Sequence, residues 1–341
     1  MAEIFSGNKH RSNNSKALKI LQLAQLQLAD KSLLMQMYPE QFAYGHREIL
    51  LDECGLDYST QLIGNLQHGI ELNSFDFRSP RYLNWKNSKT YVFSKELENQ
   101  SLKEGFRRVF AIGAPWLYLV KRETVKVVSR DGKRKKILVM PGHSQTNFYD
   151  RSSKSLITKR AKLFREAVGN FDSTLCLHPI DFLNVDTRNA FAEEGFDVTC
   201  LGISNSIPPW SPAANRIQFL ENLLHLMKSH THYVTDDVGT SLFYALNMEM
   251  NVAVFPQIRH LLDTTAINSG EVKNSEYIRQ SEKFLKENLN DVVDRFGVND
   301  DLINFANSSL GLDCIKEKDE LIEILDFRRN VYTDFQYHSR K

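Results

Sequence analysis

Short apolar segments alternate with helical runs between residues 136 and 255, and this alternation is the most informative pattern in the chain. The apolar segments, with the polar residues that follow them, are ILVMPGHS (137–144), STLCLHP (173–179), DVTCLG (197–202), HYVTDDVGTS (232–241) and NVAVF (251–255). Strands that alternate with helices predict a parallel, doubly wound sheet. Ligands of such sheets bind beyond the carboxyl ends of the strands, so a site is expected at that edge.

Polar and small residues follow three of these predicted strands. They are Pro141, His143, Ser144, His178, Pro179, Asp236, Asp237, Gly239, Thr240 and Ser241. Backbone amides, hydroxyls and imidazoles at this edge can donate to phosphate oxygens, so the set suits an anionic, phosphate-bearing ligand better than a packing role. Gly142, between two of these residues, would allow close backbone approach.

The segment TDDVGTS predicts a strand that ends at Thr235, a tight turn at Gly239 and a helix that starts at Thr240-Ser241. The first-turn amides and the helix dipole would form an anion site. Asp237 or Thr240 could instead cap the helix, and capping and phosphate binding use the same groups.

His178 follows the strand in STLCLHP, where Pro179 is expected to stop both the strand ladder and a helix. This would direct the imidazole of His178 into the crevice. There it could donate to a phosphate oxygen and offset charge on a departing nucleotide, or it could bond to a local carbonyl. The pattern leaves both hypotheses open.

The N-terminal part of the chain predicts a second α/β unit, and the C-terminal part predicts helices. Strands are expected over 61–70, 89–94 and 107–116, with helices over 15–42, 45–55, 95–106, 275–290 and 319–328. The expected domains are therefore 1–120, a basic linker over 121–136, and 137–341 with the terminal helices. A length of 341 residues agrees with two domains.

The N-terminal unit contributes one candidate for proton transfer, the sequence QHGIE (67–71) after its first strand. A His or carboxylate that faces the cleft could take a proton from an acceptor, which makes His68 and Glu71 catalytic candidates. A structural role for His68 is the alternative. His225, His230 and His232 match no common metal spacing and are interpreted as structural.

Composition limits the possible partners. The formal net charge is +1, so no global field indicates nucleic acid. Residues 121–136 hold eight Lys or Arg against two acids, which is typical of a solvated linker or of a segment attracted to an anionic membrane or polymer. The four cysteines form no CxxC pair, and the chain shows neither an 18-residue apolar run nor a signal-peptide core. We expect a cytoplasmic protein, peripheral to the inner face of the membrane at most.

The motifs together resemble the GT-B transferases that build bacterial surface polymers. The similarity is greatest to the group of CDP-glycerol glycerophosphotransferases and of capsule or lipopolysaccharide transferases that use CMP-activated sialyl- or Kdo-type sugars. It rests on Gln67-His68-Gly69, Ile112-Gly113-Ala114-Pro115, His178-Pro179, and Thr235-Asp236 followed by Gly239-Thr240-Ser241. Gln67 stands where the glycerophosphotransferases have Trp, and Thr240-Ser241 stands where they have two serines.

The resemblance implies a GT-B fold, with two Rossmann-like α/β domains facing a cleft. It implies that His178, Thr240 and Ser241 contact the nucleotide and phosphate of the donor, and that His68 lies on the acceptor side. The expected function is an inverting, metal-independent glycosyltransferase with no cofactor, moving a sugar from a nucleotide-activated donor to a glycan or lipid-linked glycan. A glycerophosphotransferase, a nucleotide-sugar epimerase and a non-catalytic subunit of a polymer-assembly complex are the alternatives.

Overall fold

The computed structural model describes residues 44–58, 60–70, 86–123, 135–142, 154–201, 219–259 and 274–328. The predicted helix over 15–42 lies outside these residues. Within them, no helix combines the length and the apolar character needed to cross a membrane.

The N-terminal half is built on a small parallel sheet. Its elements are α1 (His46–Cys54), β1 (Gln61–Ile63), β2 (Asn65–Leu66), β3 (Thr90–Val92), α2 (Lys95–Lys103), β4 (Val109–Ala111) and α3 (Pro115–Arg122). The order β2-β3-β4 is parallel throughout. The helix predicted over 45–55 is confirmed, and it ends at Gly55, which has the left-handed φ of 67° that glycine adopts readily.

The segment 61–70, predicted as one strand, is divided between two sheets. Gly64 has φ 129°, and a Cβ there would lie 2.8 Å from the carbonyl oxygen of Lys89, so the backbone turns at a position that only glycine fits. β1 therefore leaves the parallel sheet. It pairs antiparallel with the last described strand, with Leu62 opposite Phe327.

The C-terminal half is built on a five-stranded parallel sheet. Its elements are β5 (Lys136–Val139), α4 (Lys154–Val168), β6 (Asp172–Cys176), α5 (Pro179–Leu183), α6 (Val185–Glu193), β7 (Asp197–Thr199), α7 (Phe219–Lys228), β8 (His232–Thr235), α8 (Thr240–Asn247) and β9 (Asn251–Val254). The order is β7-β6-β5-β8-β9. The strands read as continuous apolar runs because both faces of the sheet are buried.

The last described part of the chain forms helices and one short strand. These are α9 (Asn274–Asn288), a 3₁₀ turn (Asn290–Val292), α10 (Asp300–Leu310), a second 3₁₀ turn (Leu312–Cys314), α11 (Lys318–Ile324) and β10 (Asp326–Arg328). The helix predicted over 275–290 is confirmed. The one predicted over 319–328 is wrong beyond Ile324, because β10 extends there and pairs with β1. The predicted domain boundaries stay a prediction.

One apolar core runs through both halves. Trp116 of α3 and Tyr244 of α8 belong to the same cluster, and their rings stack with centroids 4.3 Å apart and an angle of 14°. The indole nitrogen of Trp116 also donates to Oδ1 of Asn247 at 2.9 Å. The α/β class with two parallel sheets is confirmed, and the halves are packed tightly against each other.

The start of the basic stretch joins the two halves. Arg122 pairs with Asp52 at 3.1 Å and with Glu221 at 2.7 Å, while Lys121 pairs with Glu317 at 2.9 Å. Residues 124–134 of the predicted linker lie outside the described chain. A membrane contact by this segment stays a prediction.

Candidate functional site

The carboxyl edge of the five-stranded sheet has its switch point between β5 and β8. The chain leaves β5 toward β6 on one side and leaves β8 toward β9 on the other. Such a reversal opens a crevice in which ligands of this sheet type bind. Gly142 and Asp236, close to the ends of the two strands, meet here.

A buried ion pair holds these two strand ends together. Arg160 of α4 donates to Oδ2 of Asp236 from Nη2 at 2.6 Å and from Nε at 3.1 Å. Nη2 of Arg160 also donates to the carbonyl of Gly142 at 3.0 Å, and the Gly142 amide donates to Oδ1 of Asp236 at 2.7 Å. The two side chains are 2% and 0% exposed. Asp236, predicted to bind phosphate, is thus occupied in positioning the strand ends.

Arg160 was not predicted from the sequence, although a signal existed. It lies on the buried face of α4 with Ile157, Ala161, Phe164 and Val168, at helical spacing. A single charged residue in such an apolar stripe indicates a buried partner of opposite charge.

The turn after β8 exposes the first turn of α8. Oδ1 of Asp237 accepts the backbone amide of Val238 at 2.8 Å, and the N-cap position of the helix is Gly239, which has no side chain to cap it. Gly239 is the N-cap in an extended conformation (φ −123°, ψ 168°). Among the described residues, no heavy atom would lie within 4 Å of a Cβ on Gly239, so this part of the structure leaves space beside the helix end.

The hydroxyls of Thr240 and Ser241 both have protein partners. Oγ1 of Thr240 accepts the backbone amide of Ile70 at 2.8 Å, and Oγ of Ser241 lies 2.7 Å from the hydroxyl of Tyr233. Burial raises the pKa of Tyr233, which therefore stays protonated. Phosphate contacts by the two hydroxyls stay a prediction.

The loop that carries His68 lies against this helix end. Gln67 donates from Nε2 to the carbonyl of Gly69 at 2.8 Å, and its Oε1 accepts the amide of Phe93 at 2.7 Å. The half-buried ring of His68 packs on Tyr44, with centroids 4.8 Å apart. The structure thus brings His68 and the start of α8 to one place, and Glu71 lies outside the described residues.

A second histidine, His46, lies close to His68. His46 is fully buried, and burial together with the nearby His68 lowers its pKa to about 3, with a backbone group of Gln67 acting in the opposite direction. His46 is therefore neutral at physiological pH. Tyr44 packs on both histidines and also on Phe219 of α7, at 5.0 Å between ring centroids.

His178 lies at the same edge, on the opposite side of β5 from β8. Its carbonyl accepts the amide of Phe182 at 2.9 Å, so α5 begins at Pro179. The prediction that Pro179 stops a helix is wrong, because proline fits the first position of a helix, where the missing amide has no intrahelical partner. The side chain of His178 is half-buried. The predicted His143 and Ser144 lie outside the described residues.

Arg259 is a further residue at this edge that sequence reasoning missed. Its Nη1 lies 3.9 Å from Oδ2 of Asp237, and the two side chains are 17% and 15% exposed. The same Nη1 lies 3.2 Å from the place that a Cβ on Gly142 would take. Its signal in the sequence was a basic residue shortly after the strand NVAVF, at the same edge as the other strand ends.

His230 and His232 support the structural interpretation, while His225 is exposed on α7. Nδ1 of His230 lies 2.7 Å from the carbonyl of Leu226, and burial lowers the pKa of His230. His232 packs on Phe296, and burial lowers its pKa to about 4. Among the residues that the structure describes, no group of three or more His, Cys, Asp or Glu is placed to hold a metal ion.

Comparison with known proteins gives a distant likeness of fold. No protein-family model and no curated protein matches the chain. The structure of S. aureus MnaA with UDP has a sequence 15% identical to this one. The match covers 75% of this chain and 69% of that protein, with a TM-score of 0.34. The UDP-GlcNAc 2-epimerase from Neisseria meningitidis bound to UDP-GlcNAc is 14% identical, with coverages of 76% and 70% and a TM-score of 0.36.

Proposed function

We propose that this chain is an inverting, metal-independent glycosyltransferase that moves a sugar from a nucleotide-activated donor, preferably a CMP-sugar, to a glycan acceptor in surface-polysaccharide synthesis. The observation that supports it most is the hydrogen bond of 2.8 Å between the amide of Ile70 and Thr240. It holds the loop of His68 at the start of α8. A group that can accept a proton and a site that can hold an anion therefore share one crevice.

The donor phosphate would bind at the switch point of the large sheet. The phosphate would lie beside Gly239 at the N-terminal end of α8, where the helix dipole favours negative charge. Arg259 lies beside Gly142 with its Nη1 3.9 Å from Oδ2 of Asp237, and a phosphate bound there would compete with Asp237 for the guanidinium. His178 would contact the same anion from the β6 side. These groups would offset the charge that develops on the departing nucleotide.

The acceptor hydroxyl would lose its proton to His68, or to Glu71 in the adjoining segment. An in-line attack on the anomeric carbon inverts its configuration in one displacement, which needs one base and one stabilised leaving group. His46 does not compete for the proton, because its pKa of about 3 keeps it neutral.

Nucleotide binding is the first test. Thermal unfolding of the full chain would be compared without ligand and with CMP, CDP, UDP or GDP. A nucleotide at 100 times its dissociation constant stabilises the folded state by about 2.7 kcal/mol. We expect a clear rise in melting temperature with the nucleotide of the donor, and a chain that none of the four stabilises would contradict the proposal.

His178→Ala tests the leaving-group contact. Loss of one such contact typically costs about 2.7–4 kcal/mol in the transition state, so turnover should fall roughly a hundredfold or more while the fold survives. Turnover at the wild-type rate in this variant would remove His178 from the site.

Arg259→Gln tests the residue that the sequence did not reveal. A hydrogen bond to a charged group is worth about 1.5–3 kcal/mol, so nucleotide affinity should fall by roughly one to two orders of magnitude. Arg295→Gln is the matched control, since Arg295 pairs with Asp291 at 3.2 Å on an exposed surface. Equal affinities in both variants would contradict a role for Arg259.

Product analysis separates the related activities. A glycosyltransferase forms a glycosidic bond, whereas a glycerophosphotransferase forms a phosphodiester. An epimerase converts the donor without any acceptor, and a non-catalytic subunit binds nucleotide without turnover. Each of these three outcomes would replace the proposed reaction.

A further inference from the structure

We infer that Thr240 is a positioning residue, whose hydroxyl seats the loop of His68 on α8. The inference rests on the proposed function for the role of His68 as the base. The contact itself is independent of that function.

The first observation is the contact between the two halves. The Ile70 amide donates to Oγ1 of Thr240 at 2.8 Å, although the two residues are 170 positions apart in sequence. Ile70 follows strand β2 of the small N-terminal sheet. Thr240 is the first residue of α8, the helix that follows strand β8 of the large sheet. One hydroxyl therefore joins the acceptor-side loop to the donor-side helix.

The second observation is the close approach of Gly69. A Cβ on Gly69 would overlap Oγ1 of Thr240. The φ of Gly69 is outside the left-handed region, so its backbone does not require glycine. Because Gly69 has no side chain, the loop can lie in direct contact with the hydroxyl of Thr240.

The third observation is the support of the loop from its other side. The side chain of Gln67 is 4% exposed and bonds both to the carbonyl of Gly69 and to the amide of Phe93. His68 therefore lies between two anchors, Gln67 within the N-terminal half and Thr240 across the interface. Because Gln67 stays in place when Thr240 is changed, the loop would lose register with α8 while the N-terminal half keeps its fold.

The two candidate roles of Thr240 predict different losses. If the hydroxyl positions the loop, nucleotide affinity survives its removal, because the α8 amides and Arg259 remain. If the hydroxyl also donates its proton to a phosphate oxygen, nucleotide affinity falls together with the seating of the loop.

Thr240→Val removes the acceptor at nearly constant shape, and Thr240→Ser retains it. Thr231→Val is the matched control, because Oγ1 of Thr231 accepts the Lys136 amide at 3.2 Å, at the opposite edge of the same sheet. The readouts are hydrogen exchange at the Ile70 amide, the imidazole NMR signals of His68, affinity for the nucleotide with the largest thermal shift, and kcat and KM for its sugar conjugate.

We expect Thr240→Val to speed exchange at Ile70 by roughly tenfold, the upper range for one neutral hydrogen bond, and to shift the His68 signals. The value of kcat should fall by a similar factor, with nucleotide affinity within about twofold of wild type. Thr240→Ser should restore all of these, and Thr231→Val should alter none. A loss of affinity with unchanged Ile70 exchange and His68 signals would overturn the inference, as would no change in any readout.

Gly69→Ala provides a second variant that leaves Thr240 intact. The added methyl group should push the loop off the hydroxyl and reproduce the exchange, NMR and kcat changes of Thr240→Val. Wild-type behaviour of Gly69→Ala would overturn the inference. If wild type binds no nucleotide, the proposed function fails, whereas Ile70 exchange and the His68 signals still decide whether Thr240 seats the loop.

Discussion

The two sides of the candidate site are held in different ways. On the proposed donor side, Arg160 and Asp236 form a buried ion pair with bonds to Gly142. On the proposed acceptor side, the loop of His68 is held by neutral hydrogen bonds: Gln67 donates to the carbonyl of Gly69 and accepts the amide of Phe93, and Thr240 accepts the amide of Ile70. One side of the candidate site is thus fixed by a buried ion pair, and the other side is fixed by neutral hydrogen bonds alone.

The difference matters because the two kinds of contact respond differently to change. Removing one partner of a buried ion pair typically costs about 3–5 kcal/mol, since a charge is left buried and unpaired. A neutral hydrogen bond contributes about 0.5–1.5 kcal/mol net. We therefore expect changes on the donor side to reduce stability first, and changes on the acceptor side to reduce turnover first.

The largest expected effect is that of Arg160→Met on the free energy of unfolding. Asp236 would lose its partner in a buried site, so urea unfolding should show a loss of about 3–5 kcal/mol. Asp236→Asn added to this variant should recover part of the loss, because the charge is gone and the Gly142 amide can keep its acceptor. The exposed pair of Arg295 and Asp291 is the control, where Arg295→Gln should cost under about 1 kcal/mol. Similar losses in both single variants would show that the buried pair is not special.

Gly142→Ala should have the next largest effect. The added Cβ would lie 2.6 Å from Cβ of Asp237. Asp237 directly follows Asp236 of the buried ion pair, so its backbone cannot move easily. Overpacking of this kind typically costs about 1–3 kcal/mol, which urea unfolding would measure. Wild-type stability would mean that the turn after β8 is more mobile than its hydrogen bonds indicate.

His46→Leu should flatten the pH dependence of stability. His46 titrates near 6.5 when unfolded and at about 3 when folded, so between these values only the unfolded chain takes up the proton. Stability from this residue is therefore complete above pH 6.5 and is lost as the pH falls toward 3, by about 1.4 kcal/mol per pH unit.

Urea unfolding of wild type and His46→Leu at pH 7, 6 and 5 checks this difference. Burial also lowers the pKa of His230 and His232, so a residual slope in the same direction should remain in the variant. Parallel pH profiles for the two proteins would show that His46 is not held neutral.

Gly239→Ala should have the smallest effect on stability. Its extended backbone accepts alanine and no atom lies within 4 Å of the new methyl group, so the cost is at most about 1 kcal/mol, from the poorer N-cap. Nucleotide affinity, measured by calorimetry, should nevertheless fall about tenfold, because the methyl group would occupy the space of the phosphate. A tenfold change corresponds to about 1.4 kcal/mol of binding free energy. Unchanged affinity would argue against binding over this helix end.

Local patterns of the chain account for most of the fold. The strands of the large sheet are buried on both faces and therefore read as apolar runs such as KILV and NVAV. Gly55 and Pro115 mark helix ends by backbone chemistry that acts within a few residues. The pairing of β1 with β10 was not predictable in this way, because short edge strands far apart in sequence carry no mutual signal.

The sequence by itself determined the α/β class, and it predicted the edge of the candidate site and several candidate residues, including His68, His178 and Gly239. Periodicity and turn chemistry are local, so they can be read from neighbouring residues. Only the tertiary structure decided that Asp236 forms an ion pair with Arg160 and that Thr240 accepts a hydrogen bond from the amide of Ile70. Those partners are selected by three-dimensional proximity after the sheet has formed, and a partner 170 residues away leaves no trace in local spacing.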